Sequence, residues 1–133
     1  MNETIRVPIN SDKDIVAARQ KGRMLALSIG FSETESTLIA TAISELARNI
    51  VTYAGKGEVQ LRAEKDTTRA GILVIAKDKG SGISNIKQAL QDGFSTSGSL
   101  GLGLPGVKRL VDEFDIVSGT GRGTVVTIRK WKL

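Results

Sequence analysis

The chain has 133 residues, 40% of them hydrophobic and 25% charged, which is the ordinary balance of a water-soluble globular protein with its own core. It contains no cysteine and no histidine, so disulfides, thiolate or imidazole metal sites and imidazole general bases are excluded within it. The net charge of +5 comes from dispersed Lys and Arg residues with few aromatic neighbours, which argues against nucleic acid as a partner.

An edge strand and a helix are predicted at the start of the chain. Apolar residues alternate over 5–9, which indicates a strand, and Pro8 confines that strand to a sheet edge. A helix is expected from Ser11, with Asp14 in its first turn, to the stop signal Gly30. Its apolar stripe comprises Ile15, Ala18, Gly22, Leu25 and Ile29.

A second helix is predicted from Ser32, where Glu35 completes a capping box, to just before Gly55. Glu45 and Asn49 are four positions apart and therefore project from one of its faces. The stripe expected to face the core comprises Leu38, Ile39, Ala42, Ile43, Leu46 and Ile50.

The rest of the chain predicts four more strands and two more helices. The strands are expected over 58–65, 70–77, 114–118 and 124–131. The helices are expected over 84–91 and 104–113. Residues 72–76 are continuously apolar, which places their strand at the centre of the sheet. This order predicts an α+β two-layer sandwich, with a mixed β-sheet and helices on one face.

We expect one domain over residues 1–133, because no linker, repeat or low-complexity segment divides the chain. No apolar run is long enough to cross a membrane, and the N-terminus lacks the apolar stretch of a signal peptide. The sequence therefore predicts a cytoplasmic protein without a membrane partner.

Four short segments, three of them rich in glycine, follow one another along the chain. They are Glu-Leu-Ala-Arg-Asn at 45–49, Asp-Lys-Gly-Ser-Gly at 78–82, Gly-Leu-Gly-Leu at 101–104 and Gly-Arg-Gly-Thr at 121–124. Residues 78–124 hold 10 of the 15 glycines, so we place the candidate site in this half of the chain. Each segment alone is weak evidence, but the ordered set predicts a nucleotide site.

The first two segments carry polar side chains with two possible uses each. Burying Glu45 and Asn49 unpaired would cost several kcal/mol, and a hydrated Mg²⁺ ion would satisfy both. The alternative is a partly exposed helix edge where Glu45 pairs with Arg48 or another base. Asp78, with two glycines after it, either accepts a hydrogen bond from an adenine amino group or marks a simple turn.

The last two segments consist mainly of glycine. Residues 101–106 match the G-x-G-x-x-G dinucleotide fingerprint, but the stretch before them is a polar loop and no βαβ unit surrounds them. We therefore reject that interpretation and keep a glycine-rich loop whose following helix N-terminus favours phosphate. A hairpin turn explains one or two of the glycines at 119, 121 and 123, and three indicate backbone held close to another group.

In content and order the four segments resemble the N box and the three glycine boxes of the GHKL ATPase superfamily, over nearly the whole chain. The resemblance implies the Bergerat ATP-binding fold with ATP and Mg²⁺. It implies Asn49 as the Mg²⁺ ligand, Asp78 on the adenine amino group, Thr124 near the adenine end, and an ATP lid around 83–103. Further nucleotide contacts are expected from Gly80, Gly82, Ser97, Gly101, Leu102, Gly103 and Leu104.

Segments 41–50, 92–98 and 103–110 most resemble the small bacterial serine kinases that act as anti-sigma factors or partner switches, and among these a stressosome switch kinase. This implies phosphoryl transfer to Ser or Thr of a STAS-domain antagonist or scaffold protein, with Glu45 as general base. It also implies a downstream effector, such as a metal-dependent protein phosphatase, that is activated on release. Arg19 on the first helix is either a contact for the substrate protein or part of a solvated helix face.

Three other functions fit the same segments. One is a nucleotide-gated binding switch with little phosphotransfer, which a turnover assay with a STAS partner would distinguish from a kinase. Another is an anti-sigma factor, which co-purification with a sigma subunit would identify. The third is an ATPase fragment of a histidine kinase or topoisomerase, for which flanking dimerisation or transducer regions would be expected.

Overall fold

Three helices pack against a five-stranded sheet within residues 3–80, 103–119 and 121–132, the part of the chain that the computed structural model describes. The elements are β1 (Ile5–Ile9), α1 (Asp12–Ile29), α2 (Glu33–Tyr53), β2 (Gly57–Lys65), β3 (Ala70–Asp78), α3 (Gly103–Leu110), β4 (Glu113–Gly119) and β5 (Gly123–Trp131). The strand order is β1-β2-β3-β5-β4. Among these strands β3 is central and β1 is at an edge, as predicted.

The sheet presents every second residue to the helices. One row in register across four strands consists of Val7, Val59, Ala76 and Val126, all of them buried. These residues share one core with Ile43 and Leu46 of α2. The intervening positions carry charged side chains such as Arg62 and Arg129, which pair with carboxylates on the opposite surface. The helices therefore lie on one face of the sheet, as the sequence predicts.

The helix ends follow local chemistry. Asp14 accepts a hydrogen bond from the backbone N–H of Ser11 at 3.2 Å, which fixes the start of α1. Ser32 accepts one from the N–H of Glu35 at 3.0 Å at the start of α2. Gly30 ends α1 with a φ of 111°, a left-handed conformation that favours glycine. None of the described helices is both long and apolar enough to cross a membrane.

The sheet differs from the mixed sheet that we expected. Every described strand pair is antiparallel. The reason lies in the connections: β2 and β3, like β4 and β5, follow each other directly and reverse direction. Between β1 and β2 the chain runs through two helices, out and back, so β2 starts at the end where β1 finishes.

Two further predictions are wrong in detail. The last predicted helix, over 104–113, ends at Leu110, and Glu113 instead begins β4 beside Arg129. Leu38 was expected to face the core but is 40% exposed, because Ile39 and Ile43 take the inward positions of α2 there.

The four strands after α2 lie within one residue of their predicted bounds. The predicted helix over 84–91 lies outside the described residues.

Trp131 organises a charged cluster on the face of the sheet away from the helices. Its Nε1–H donates to Glu113 at 2.8 Å, and the guanidinium of Arg69 lies over its ring, 4.0 Å from the ring centroid. Arg129 donates to Glu113 and to Glu64, each at 2.7 Å. The hydrogen bond from Trp131, and then that from Arg129, lowers the pKa of Glu113 below its usual range.

Replacing Glu113 by Gln should make folding less sensitive to acid. The pKa of Glu113 is lower in the folded chain than its usual value of 4.5, so its charge stabilises the fold above that pH. This contribution is lost as the pH falls through the lower, folded pKa. We expect the free energy of unfolding, from urea titrations at about pH 6 and about pH 3, to fall less in E113Q than in the wild type.

The control for this experiment is Glu3→Gln, at an exposed position before β1, which should show the wild-type pH dependence. An E113Q variant whose stability falls with acid as steeply as that of the wild type would contradict the prediction.

Candidate nucleotide site

Glu45 is a carboxylate on α2 that is only 7% exposed. Its two oxygens have different partners. Oε1 accepts a hydrogen bond from Nη1 of Arg48 at 3.0 Å, and Oε2 accepts one from the backbone N–H of Gly103 at 3.3 Å. Gly103 is the first residue of α3, so the negative charge lies at the positive end of that helix. The predicted pairing with Arg48 is therefore present, but Glu45 is buried between two helices and not on an exposed edge.

Asn49 lies one helical turn beyond Glu45 on the same side of α2 and is half-buried. Its carboxamide oxygen is a ligand of the kind that Mg²⁺ accepts. Within the described ranges there is no group of three or more acidic, His or Cys side chains that could hold a metal ion. An amide oxygen of this kind could serve as one ligand of a magnesium ion whose other ligands are phosphates and water.

Asp78 ends β3 and begins a tight turn. Its Oδ1 accepts a hydrogen bond from the N–H of Gly80 at 2.8 Å, and no donor among the described residues bonds Oδ2. A Cβ at position 80 would lie 2.7 Å from the Cβ of Ala54, the residue that caps the C-terminal end of α2. The turn thus packs against the end of α2, and the glycine permits that approach.

Thr124 at the start of β5 lies in register with Asp78. Its hydroxyl is 2.8 Å from that of Ser118 on β4. No sequence motif selects Ser118, because only the strand register brings the two residues together. Gly123 has a φ of +82°, and a Cβ there would collide with the carbonyl oxygen of Asp78. One of the three alternating glycines is therefore explained by contact between β5 and β3.

Three predicted site residues follow one another along α2. Glu45 lies beside α3, Asn49 one turn further, and Asp78 beyond the helix end, where Gly80 meets Ala54. The helix rises about 14 Å between Glu45 and Ala54. The arrangement offers a hydrogen-bond acceptor at one end, an amide oxygen in the middle and a carboxylate at the other end.

The remaining predicted residues are distributed as follows. Leu104 is buried in the core and Arg19 is exposed on α1. Outside the described residues are Gly82, Ser97, Gly101 and Leu102. The antiparallel pairing of the described strands agrees with the rejection of a dinucleotide fingerprint at 101–106, since that fingerprint belongs to a parallel βαβ unit.

The fold, with Glu45, Asn49 and Asp78 placed one after another on and beside α2, is that of an ATPase-like domain. Comparison with known proteins supports this class. Residues 10–130 match the family described as the histidine kinase-like ATPase domain, and the chain belongs to this family. The mycobacterial sensor histidine kinase MprB shares the fold, with a TM-score of 0.57 over 98% of this chain and 97% of that chain, at 14% identity. The GHKL resemblance and the α+β fold class predicted from the sequence are thereby confirmed.

Particular relatives are more similar in sequence. The serine/threonine-protein kinase RsbT of Bacillus subtilis is 51% identical over 131 residues, which cover 98% of each chain. An anti-sigma F factor of Clostridium beijerinckii is 31% identical over 99 residues, covering 69% of this chain and 68% of that protein.

Alanine at position 123 should destabilise the fold more than alanine at position 121. Both glycines have a positive φ, +82° and +77°, which costs other residues about 1–2 kcal/mol. Only at 123 does the new methyl group also collide with Asp78, whereas no described atom lies within 4 Å of a Cβ at 121. We expect the free energy of unfolding, measured with urea, to fall by about 1 kcal/mol in G121A and about 3 kcal/mol in G123A.

Equal losses in the two variants would show that the contact between β5 and β3 does not restrict position 123.

Proposed function

We propose that the protein transfers the γ-phosphate of ATP, with Mg²⁺, to a Ser or Thr hydroxyl of a STAS-domain protein in a partner-switching pathway. The enzyme class follows from the identity over 98% of both chains to a serine/threonine-protein kinase: this chain is a protein serine/threonine kinase. One structural observation supports the finer proposal. Asp78 at the end of β3, beside the end of α2, is followed by Asn49 and then Glu45 on α2. This is the order in which the adenine, the phosphates and the acceptor hydroxyl would follow one another.

At the adenine end, Asp78 would accept a hydrogen bond from the exocyclic amino group. Its Oδ1 is already bonded to Gly80, so Oδ2 is the oxygen for this contact. Thr124 lies beside it in register, with its hydroxyl held by Ser118. In the middle, Asn49 would hold Mg²⁺, which neutralises charge on the β- and γ-phosphates when bound with ATP.

At the other end, Glu45 would act as general base. The chain has no histidine, so a carboxylate is the natural side chain for this task. The acceptor oxygen forms a bond to the γ-phosphorus while the bond from that phosphorus to the β–γ bridging oxygen breaks. The hydroxyl proton passes to Glu45, and ADP and a phosphoprotein remain.

The partners are proposed from the two kinds of relatives, a serine/threonine-protein kinase and an anti-sigma F factor. We propose a cytoplasmic pathway in which the substrate is a STAS-domain antagonist or scaffold protein of a stressosome. Release from that substrate would free the kinase to activate an effector such as a metal-dependent protein phosphatase. The similarity to an anti-sigma F factor makes an anti-sigma role the second candidate. It ranks below the kinase role because that relative is less similar and covers less of the chain.

Incubation with labelled ATP and a purified STAS-domain protein tests the proposal directly. Label on a Ser or Thr of that protein is the expected result. Absence of label, together with stable binding of a sigma subunit, would favour the anti-sigma role instead.

Glutamine at position 45 should abolish transfer while leaving ATP bound. Glutamine keeps the shape of the side chain but does not accept a proton, so we expect kcat to fall about 100- to 10,000-fold. ATP affinity, measured by calorimetry, should stay near that of the wild type. Glu33→Gln, exposed at the start of the same helix, is the control. An E45Q variant that phosphorylates at the wild-type rate would exclude Glu45 as the base.

Asparagine at position 78 should weaken ATP binding. It keeps an oxygen for the N–H of Gly80 but replaces the second oxygen with an amide that repels the adenine amino group. Loss of a charged hydrogen bond is expected to raise the Kd for ATP about 10- to 100-fold by calorimetry. Asp115→Asn, exposed on β4, should bind as the wild type does. Unchanged affinity in D78N would place the adenine elsewhere.

A further inference from the structure

We propose that Arg48 is a positioning residue for phosphoryl transfer, and that it acts by orienting the carboxylate of Glu45. This inference rests on the proposed role of Glu45 as general base. Arg48 follows Glu45 by three positions, so the two side chains meet on one side of α2. The guanidinium Nη1 donates to Glu45 Oε1 at 3.0 Å.

A glutamate needs such partners because its terminal torsion has no sharp preference of its own. With Gly103 alone on Oε2, the carboxylate could turn about that bond and carry Oε1 away from an incoming hydroxyl. Arg48 contacts the other oxygen and thereby fixes the plane of the carboxylate. An ionised carboxylate has about four lone-pair sites, so these two bonds leave sites for the proton of the acceptor.

The exposure of Arg48 indicates that its ion pair with Glu45 positions the carboxylate more than it stabilises the fold. The Arg48 side chain is 43% exposed, and ion pairs with a partner so open to water add little to the stability of a fold. The Glu45 side chain is 9% exposed, so its position is restricted by what touches it. Water can take the place of so exposed a guanidinium beside Glu45, so Arg48 is expected to affect the chemical step strongly and folding weakly.

The chain contains a matched control. Arg62 is 44% exposed and lies 3.8 Å from Glu64, but this pair is on the face of the sheet away from the helices and the site. Arg62→Ala removes the same side chain at the same exposure without touching the proposed base. It should leave kcat and the KM for ATP unchanged.

The experiment compares R48A, R48K and R62A in the whole 133-residue chain, with labelled ATP and a STAS-domain substrate. We expect R48A to lower kcat about 10- to 100-fold, the scale of a misplaced catalytic group, with the KM for ATP unchanged. R48K should recover most of the rate, because the contact is a single bond that an ammonium can also make. The melting temperature of R48A should stay within about 2 °C of the wild type.

Two further measurements separate orientation from a general structural role. Added guanidinium, below unfolding concentrations, should raise the rate of R48A several-fold and leave that of E45Q unchanged. On the E45Q background, R48A should cause no further loss, because the two residues act as one unit.

The outcomes distinguish this inference from the proposal on which it rests. If E45Q is inactive while R48A matches the wild type, the role of Arg48 is wrong and that of Glu45 stands. If E45Q keeps the wild-type rate, both are wrong. A loss in R48A that appears only in the KM for ATP, or that neither lysine nor guanidinium restores, would also overturn the positioning role.

Discussion

The buried charge of Glu45 is the constraint on which the rest of the site depends. A carboxylate at 7% exposure is costly unless hydrogen-bond donors reach it. One donor comes from α2 itself and the other is the first backbone N–H of α3. The seating of α3 on α2 and the orientation of the carboxylate are therefore coupled. A substitution that shifts α3 would also move the group that we propose as the base.

At the Asp78 end of the site, two glycines allow close packing that a side chain would prevent. Gly80 lets the turn after β3 meet α2, and Gly123 lets β5 meet the backbone of Asp78. The sequence indicated only that the backbone around Gly123 is held close to another group. For these two, the neighbouring group is the backbone or a helix end of the same chain. Gly80 and Gly123 allow the backbone packing that keeps Asp78 and Thr124 side by side. They therefore contribute to the site by positioning other residues.

Local signals predicted the elements, and tertiary contacts decided what was missed. The capped helix starts, the edge position of β1 and the central β3 follow from short stretches of sequence, as does the shared face of Glu45 and Asn49. The exposure of Leu38 depends on which face of α2 meets the sheet. The early end of α3 depends on the pairing of β4 with β5. The contact of Ser118 with Thr124 and that of Glu45 with Gly103 join separate segments, which periodicity does not reveal.

The chain has one tryptophan, Trp131. It lies at the end of β5 opposite to Thr124, away from the proposed nucleotide site. Its indole is enclosed by Arg69, Gly71 and Glu113 on the face of the sheet turned away from the helices. The tryptophan fluorescence of the protein therefore comes from a part of the sheet whose packing is lost on unfolding. Emission from Trp131 offers a built-in optical readout of folding, separate from events at the site.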